Sequence, residues 1–125
     1  MKKILLDANF LTIPYYFRID IFEEIGKLME EKYEMVTLDK IVEELERLAK
    51  KGGKSGVAAK IGLELIRKKK IKLIKTEGGR TDELIEKIAN EDFIVATNDA
   101  ELRRRLKGKG IKTIYLRAKK HLILG

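Results

Sequence analysis

The chain has 125 residues, 44% of them hydrophobic, which is enough for one domain with a buried core. It has no Cys, which excludes a disulfide framework, and no apolar run near the roughly 20 residues that cross a bilayer. The net charge of +8 is uneven, since residues 51–125 hold 20 basic and 9 acidic side chains, and such a surface suits a polyanion.

Short apolar runs alternate with segments of helical apolar spacing along the whole chain. The runs predict five strands, at residues 4–6, 35–38, 71–74, 93–96 and 111–116. The spacing predicts helices over residues 15–32, 39–51, 55–69, 81–89 and 98–106, with Asp39, Thr81 and Asn98 as N-caps. Gly52 and Gly53 predict a break and a polar loop through Lys54. The apolar ending 121–124 either folds back or pairs with another copy.

Alternation of this kind predicts an α/β domain over residues 1–125, a five-stranded parallel sheet with helices on both faces. In such folds ligands bind beyond the carboxyl ends of the strands, at a topological switch point. Nothing in the sequence indicates a repeat, a second domain or a signal peptide, so we expect a cytoplasmic protein. The 38% charged residues, mostly Lys and Glu, are common in heat-adapted proteins.

Four acidic residues each follow one of the first four predicted strands. They are Asp7, Glu44, Asp82 and Asp99. The carboxyl ends of parallel strands meet at one edge, so we expect these carboxylates to converge. Like charges placed together repel unless a cation neutralises them. Oxygen ligands with no Cys and a single His favour Mg²⁺ or Mn²⁺ over zinc.

Three of these acids could instead have purely structural roles, whereas no local capping role is evident for Asp7. Asp82 and Asp99 suit the first turn of a helix, and Glu44 could be a solvated helix residue. On the helix after Asp39, Glu43 lies roughly 160° from the centre of the apolar face, and Glu44 roughly 100°. Glu46 lies equally far on the other side, so helical geometry alone does not separate Glu44 from Glu46.

Four segments resemble the PIN-domain ribonucleases in their order along the chain. They are Leu5-Leu6-Asp7-Ala8-Asn9-Phe10, Glu43-Glu44-Leu45-Glu46-Arg47-Leu48, Thr81-Asp82-Glu83-Leu84-Ile85 and Ile94-Val95-Ala96-Thr97-Asn98-Asp99-Ala100-Glu101-Leu102. Within that superfamily the segments look closest to archaeal relatives of the small-subunit rRNA-processing nucleases, and VapC-type toxins share the fold and acids. The resemblance implies an endoribonuclease with a one- or two-ion Mg²⁺ or Mn²⁺ pocket formed by the four acids.

The resemblance also implies that Asn9 or Thr97 orients an acid or the phosphate. Some relatives carry a further acid near the fifth strand, and none follows Glu101 here. The register of the segment that resembles the family favours Glu44 over Glu43. In this reading the acids bind the metal that activates water, with no covalent nucleophile from the protein.

Substrate contacts are expected from the basic segments. Arg103, Arg104 and Arg105 follow Asp99 directly, so at least one should reach RNA phosphates, and Tyr15 or Tyr16 could stack a base. The expected partner is single-stranded or structured RNA, with rRNA among the candidates. An antitoxin, a ribosome-assembly partner and a homodimer stay open.

Other functions fit the residues less well. A receiver domain needs a phosphoacceptor Asp after the third strand, where Lys75-Thr76-Glu77 stands, and a haloacid-dehalogenase-type phosphatase needs an Asp where Asn9 stands. No Gly-x-Gly-x-x-Gly follows the first strand, which disfavours dinucleotide binding. The main alternative is a non-cleaving RNA-binding or assembly module on the same scaffold.

Overall fold

The computed structural model describes all 125 residues and contains six strands and seven helices. The strands are β1 Lys2–Leu6, β2 Tyr33–Leu38, β3 Lys72–Ile74, β4 Phe93–Ala96, β5 Lys112–Arg117 and β6 His121–Leu124. The helices are α1 Ala8–Leu11, α2 Ile13–Phe17, α3 Ile21–Leu28, α4 Asp39–Lys51, α5 Gly53–Lys68, α6 Thr81–Ile88 and α7 Ala100–Gly108. None of the helices combines the length and the apolar character that a bilayer crossing needs.

The six strands form one sheet in the order β3-β2-β1-β4-β5-β6. The five predicted strands are present and parallel, but the prediction of a five-stranded sheet is wrong by one strand. The apolar ending folds back as β6, antiparallel to β5, after a turn at Ala118 and Lys119 with left-handed backbone. Gly125 and Thr113 exchange backbone hydrogen bonds at the end of this hairpin opposite the turn.

The centre of the sheet is apolar on both sides. Ile4, Leu5 and Leu6 of β1 are fully buried although successive strand residues point to opposite faces. All four residues of β4 are buried as well. Both faces of the sheet are therefore covered, as in other parallel sheets, and the α/β prediction is confirmed.

The helix predicted over residues 15–32 is wrong, because this segment contains two helices. Arg18 ends α2 in a left-handed conformation with φ 54°, and its N–H donates to the Pro14 carbonyl. The Asp20 carboxylate then accepts from the N–H groups of Phe22 and Glu23, both at 3.1 Å, and caps α3. A short helix, α1, also follows Asp7 directly, in a segment for which no helix was predicted.

Helices α4 and α5 form a hairpin with only Gly52 between them, so the polar loop predicted through Lys54 is wrong. Gly52 has φ 77° and ψ −165°, a conformation that glycine adopts without a steric penalty. Further along α5, a Cβ on Gly62 would lie 3.3 Å from the Leu11 carbonyl oxygen. The missing side chain lets α5 pack closely on α1.

The three predicted N-caps bind elsewhere. Asp39 lies in the first turn of α4 and accepts from the backbone N–H and hydroxyl of Thr76. The Thr81 hydroxyl donates to Glu44 rather than to its own helix. Asn98 accepts from the Leu116 N–H, and the cap of α7 is Asp99. Asp39 also accepts from the Lys40 N–H at 2.7 Å, but all three side chains bind a residue that is distant in sequence.

Candidate active site

The topological switch point lies between β1 and β4. From β1 the chain proceeds to β2 and β3 on one side, whereas β4 leads to β5 and β6 on the other. A crevice is expected beyond the carboxyl ends of such a strand pair. Asp7 follows β1 and Asp99 lies three residues beyond β4, and the register aligns Leu6 with Ala96. The sheet thus brings these two acids to one edge.

Asp7 is a buried carboxylate, with 8% of its surface exposed. One oxygen accepts from the Ala8 N–H at 2.8 Å and the other from the Thr97 hydroxyl at 2.8 Å. Burial raises the pKa of Asp7 to about 6, an effect that the two hydrogen bonds partly offset and the nearby Glu44 and Asp99 charges increase. Asp7 therefore holds its negative charge only against a desolvation penalty.

Thr97 connects the two strand ends through its buried hydroxyl. The hydroxyl has one proton, which it donates to Asp7, and it accepts from the Asp99 N–H at 3.1 Å. The side-chain amide oxygen Oδ1 of Asn9 accepts from the Asn98 backbone N–H at 3.0 Å. Asn9 and Thr97 therefore orient the backbone around Asp7 and Asp99, and this geometry is compatible with their predicted positioning role.

Of the three glutamates on α4, Glu44 is half-buried, whereas Glu43 and Glu46 are exposed. Its Oε1 accepts from the Thr81 hydroxyl at 2.6 Å, which joins α4 to the start of α6. Glu44 lines the same pocket as Asp7, whereas Glu43 and Glu46 do not. The packing of α4 thus places Glu44 at the pocket and Glu46 outside it, a pair that helical geometry alone did not separate.

Asp82 is paired with two guanidinium groups. Arg80 donates Nε to Oδ1 at 3.3 Å and Nη2 to Oδ2 at 3.0 Å, and Arg105 donates Nη2 to Oδ2 at 3.0 Å. The hydrogen bond from Arg80 is the main reason that the pKa of Asp82 lies below its ordinary value. A cation that binds Asp82 must therefore compete with arginine.

All four predicted acids border one open pocket of about 500 Å³. Its other charged lining residues are Lys40, Arg47 and Arg80, none of which was predicted from the sequence. A signal was present, because Lys40, Glu44 and Arg47 recur at the i, i+4, i+7 spacing of one helix face. The pocket thus combines four carboxylates with three cations.

A sequence model of the family described as PIN like domain matches residues 4–119 of the chain. The chain belongs to the PIN-like domain family. This PIN-like domain is 39% identical over 126 residues to Ribonuclease VapC4 of Methanocaldococcus jannaschii, covering 97% of this chain and 95% of the relative. Ribonuclease VapC9 of Archaeoglobus fulgidus is 31% identical over 126 residues, covering 99% and 90%.

Among solved structures, the PIN domain endonuclease Utp24 superposes with a TM-score of 0.80 over 98% of this chain and 90% of that chain. Its sequence identity is 22%, so this similarity concerns the fold. The resemblance found in the four sequence segments is confirmed, since the family model and both ribonuclease relatives span nearly the whole chain.

The predicted arginines of the PIN-like domain point to three different places. Arg105 reaches Asp82, and its Nε contacts Glu86 at 2.7 Å. Arg104 pairs with Glu101 at 2.7 Å on the surface of α7. Arg103 stacks on the Tyr115 ring with its guanidinium carbon 3.9 Å from the ring centroid. None of the three lines the Asp7 pocket.

Tyr15 and Tyr16 lie on α2 of the PIN-like domain, outside the pocket that the four predicted acids line. Their rings meet edge to face with centroids 5.2 Å apart, and Tyr16 is 47% exposed. Neither ring lines the Asp7 pocket. The predicted stacking of a base by Tyr15 or Tyr16 would therefore require RNA to extend beyond that pocket.

The donor chemistry of the pocket suits a hard divalent cation, since its candidate ligands are carboxylate oxygens. In the PIN-like domain, however, no three acidic or His side chains lie close enough together to hold a metal ion. Glu44 is engaged by Thr81, and Asp82 by Arg80 and Arg105. Metal binding would therefore require Glu44 to leave Thr81 and Asp82 to leave at least one arginine.

Proposed function

We propose that this PIN-like domain is a metal-dependent endoribonuclease of VapC type. The observation that carries the proposal is the buried Asp7 carboxylate at the switch point, opening into a pocket lined by three further acids. Two archaeal relatives named as VapC ribonucleases match nearly the whole chain and support the same activity. RNA is the proposed substrate, which agrees with the net charge of +8.

We propose Asp7, Glu44, Asp82 and Asp99 as the groups that would hold Mg²⁺ or Mn²⁺. A bound divalent ion would supply a water molecule of lowered pKa and neutralise charge on the phosphate. The desolvation of Asp7 supports this assignment, because a buried carboxylate gains from a neighbouring cation. Glu44 would join the ion after leaving Thr81, and Asp82 would join it after leaving Arg80.

The remaining side chains of the pocket hold the acids and the substrate. Thr97 keeps the Asp7 carboxylate oriented through its hydroxyl, and Asn9 steadies the backbone before Asp99. Lys40 and Arg47 border the pocket and would bind backbone phosphates on either side of the cleaved bond. No residue is assigned a covalent role, since the pocket offers no Cys, Ser or His.

An antitoxin is the proposed protein partner, because VapC-type toxins act together with one. The proposal needs a small antitoxin gene beside the gene for this chain. A ribosome-assembly partner and a homodimer stay predictions, and so does a role in rRNA processing. Co-expression with the neighbouring gene product, followed by co-purification, would test for the antitoxin complex.

The activity is tested by cleavage of end-labelled single-stranded and structured RNA in Mg²⁺, Mn²⁺ or EDTA. We expect metal-dependent cutting that falls more than about 100-fold in Asp7→Asn and Asp99→Asn, since a metal ligand should matter more than its outer partners. Glu44→Gln is expected to show a similar loss. Glu43→Gln and Glu46→Gln are the matched controls, because both acids are exposed on the same helix.

Three outcomes would contradict all or part of this proposal. Cutting that persists in EDTA, or in Asp7→Asn, would rule out the metal pocket as its source. If the wild type binds RNA and cuts nothing with any metal, the non-cleaving RNA-binding module is the better description. Equal losses in Glu43→Gln and Glu44→Gln would contradict a specific role for Glu44 in the pocket.

A further inference from the structure

Arg80 binds Asp82 and also lines the pocket into which Asp7 opens. Its guanidinium binds Asp82 through two nitrogens, at 3.3 and 3.0 Å. The side chain is nevertheless 75% exposed, and it borders the pocket into which Asp7 opens. Its only other acidic neighbour is the exposed Glu83, at 3.9 Å. Arg80 is thus held by Asp82 and by little else.

Arg105 binds the same carboxylate from a fixed position. Its Nε donates to Glu86 at 2.7 Å while its Nη2 donates to Asp82 at 3.0 Å, and the side chain is 29% exposed. Lys109 holds the other oxygen of Glu86 at 3.0 Å. Arg105 lies outside the Asp7 pocket. The two arginines on Asp82 therefore differ, because Arg105 is also held by Glu86 outside the pocket, whereas Arg80 lines the pocket.

We propose that Arg80 is an exchangeable cation that pairs with Asp82 in the absence of RNA and moves to an RNA backbone phosphate when RNA binds. The inference rests on the proposed function, since it needs both RNA and a divalent ion in this pocket. A phosphate offers a guanidinium the same two-oxygen geometry as a carboxylate. The exchange is therefore between equivalent partners and needs no change of fold.

When Arg80 moves to an RNA phosphate, Asp82 becomes available to bind a metal ion. Arg80 occupies Oδ1 and shares Oδ2, so its departure opens lone pairs on both oxygens. Arg105 stays on Oδ2 and keeps the carboxylate oriented, as outer partners of metal ligands commonly do. RNA binding and metal binding then favour each other, and linkage makes this coupling reciprocal. Arg80 is a positioning residue in this scheme.

The coupling is tested by titrating Mn²⁺ into wild type, Arg80→Gln and Arg105→Gln by calorimetry. Each titration is run alone and with a phosphorothioate single-stranded RNA of about 12 nucleotides, whose integrity is checked on a gel. We expect RNA to tighten Mn²⁺ binding in the wild type. Arg80→Gln should bind Mn²⁺ about two- to fivefold more tightly than wild type without RNA, because an exposed ion pair no longer competes. Added RNA should tighten it no further.

The salt dependence of RNA binding gives a second readout, measured in EDTA by fluorescence anisotropy. Losing one phosphate contact should reduce the slope of log affinity against log salt by about 0.7 in Arg80→Gln. Arg105→Gln is the matched control, since it removes the same charge from Asp82 but lies outside the pocket. It should keep the wild-type slope.

The outcomes separate this inference from the proposed function. If the wild type binds Mn²⁺ through Asp7, yet Arg80→Gln shows wild-type coupling and salt slope, the exchange is overturned and the nuclease stands. An equal loss of slope in Arg105→Gln would also overturn it, because the effect would then be general electrostatics. If the wild type binds no Mn²⁺, with or without RNA, both the proposed metal pocket and the proposed exchange are overturned.

Discussion

At the scale of single residues, Asp7 is a charged side chain in a largely desolvated position. Its carboxylate is buried, and its only polar contacts are one N–H and one hydroxyl. Burial accordingly raises its pKa to about 6. A group of this kind lowers stability in its charged form and is relieved by a proton or by a cation.

The stability of the metal-free protein should therefore depend on Asp7 and pH. Its pKa is raised from 3.8 to about 6 on folding, so the folded state binds the proton more tightly. The Asp7 contribution to the free energy of unfolding should fall by up to about 3 kcal/mol between about pH 4 and 6, then stay constant. Asp7→Asn should remove this fall.

Urea unfolding in EDTA across this pH range, for wild type and Asp7→Asn, would measure the difference. At neutral pH we expect the variant to be the more stable protein without metal, whereas added Mn²⁺ should stabilise only the wild type. A variant that is less stable than wild type at pH 7 in EDTA would show that Asp7 contributes packing or hydrogen bonding that outweighs its desolvation.

Thr97 should influence cleavage through the pKa of Asp7. Its hydroxyl hydrogen bond lowers that pKa, so Thr97→Val should raise it. We expect the acidic limb of the pH–rate profile to move to higher pH in Thr97→Val. Thr97→Ser keeps the hydroxyl and should keep the limb near its wild-type position. Equal profiles for all three proteins would show that Asp7 ionisation does not set this limb.

At the scale of elements, the sequence predicted the parallel strands and missed several helix ends. Strands β1 and β4 are apolar at successive positions because both faces of the sheet are covered, and such short runs are easy to find. The helix break at Arg18 was missed because apolar spacing continues across it. Thr81 was assigned as a cap because its true partner, Glu44, is distant in sequence.

Close packing of α5 should make Gly62 intolerant of a side chain. A Cβ there would meet the Leu11 carbonyl oxygen at 3.3 Å and Leu45 at 3.6 Å. Gly62→Val should lower the free energy of unfolding by about 1–3 kcal/mol. Gly108→Val is the matched control, since Gly108 ends α7 with no neighbour within 4 Å. Urea unfolding that shows equal effects for the two variants would contradict close packing at Gly62.

At the scale of the whole molecule, one sheet edge collects acids from four segments that are far apart in the sequence. Topology predicted that acids after the parallel strands share a pocket, because such strands end on the same side, whereas the choice of Glu44 also needed the family resemblance. The cations Lys40, Arg47 and Arg80 were missed, since their positions depend on how helices pack around that edge. The pairing of Arg105 with Asp82, 23 residues away, has no local signal.

The basic surface should make RNA binding strongly dependent on salt. The net charge is +8, and the pocket itself includes three cations. If three phosphates are neutralised, affinity for single-stranded RNA should fall more than about tenfold between about 50 and 200 mM salt. Anisotropy titrations in EDTA would measure this slope. A salt-independent affinity would show that stacking or base contacts, rather than phosphates, dominate binding.

The place of β4 in the sheet also affects how the chain is made. Strand β1 pairs with β2 on one side and with β4 on the other, and β4 begins only at Phe93. On the ribosome, β1 and β2 emerge long before β4, so Ile4, Leu5 and Leu6 lie on an open sheet edge meanwhile. Thr97 and Asp99 arrive later still. A partly synthesised chain that ends before β4 therefore lacks Asp99 and the Thr97 hydroxyl that binds the Asp7 carboxylate, so its pocket is completed only late in translation.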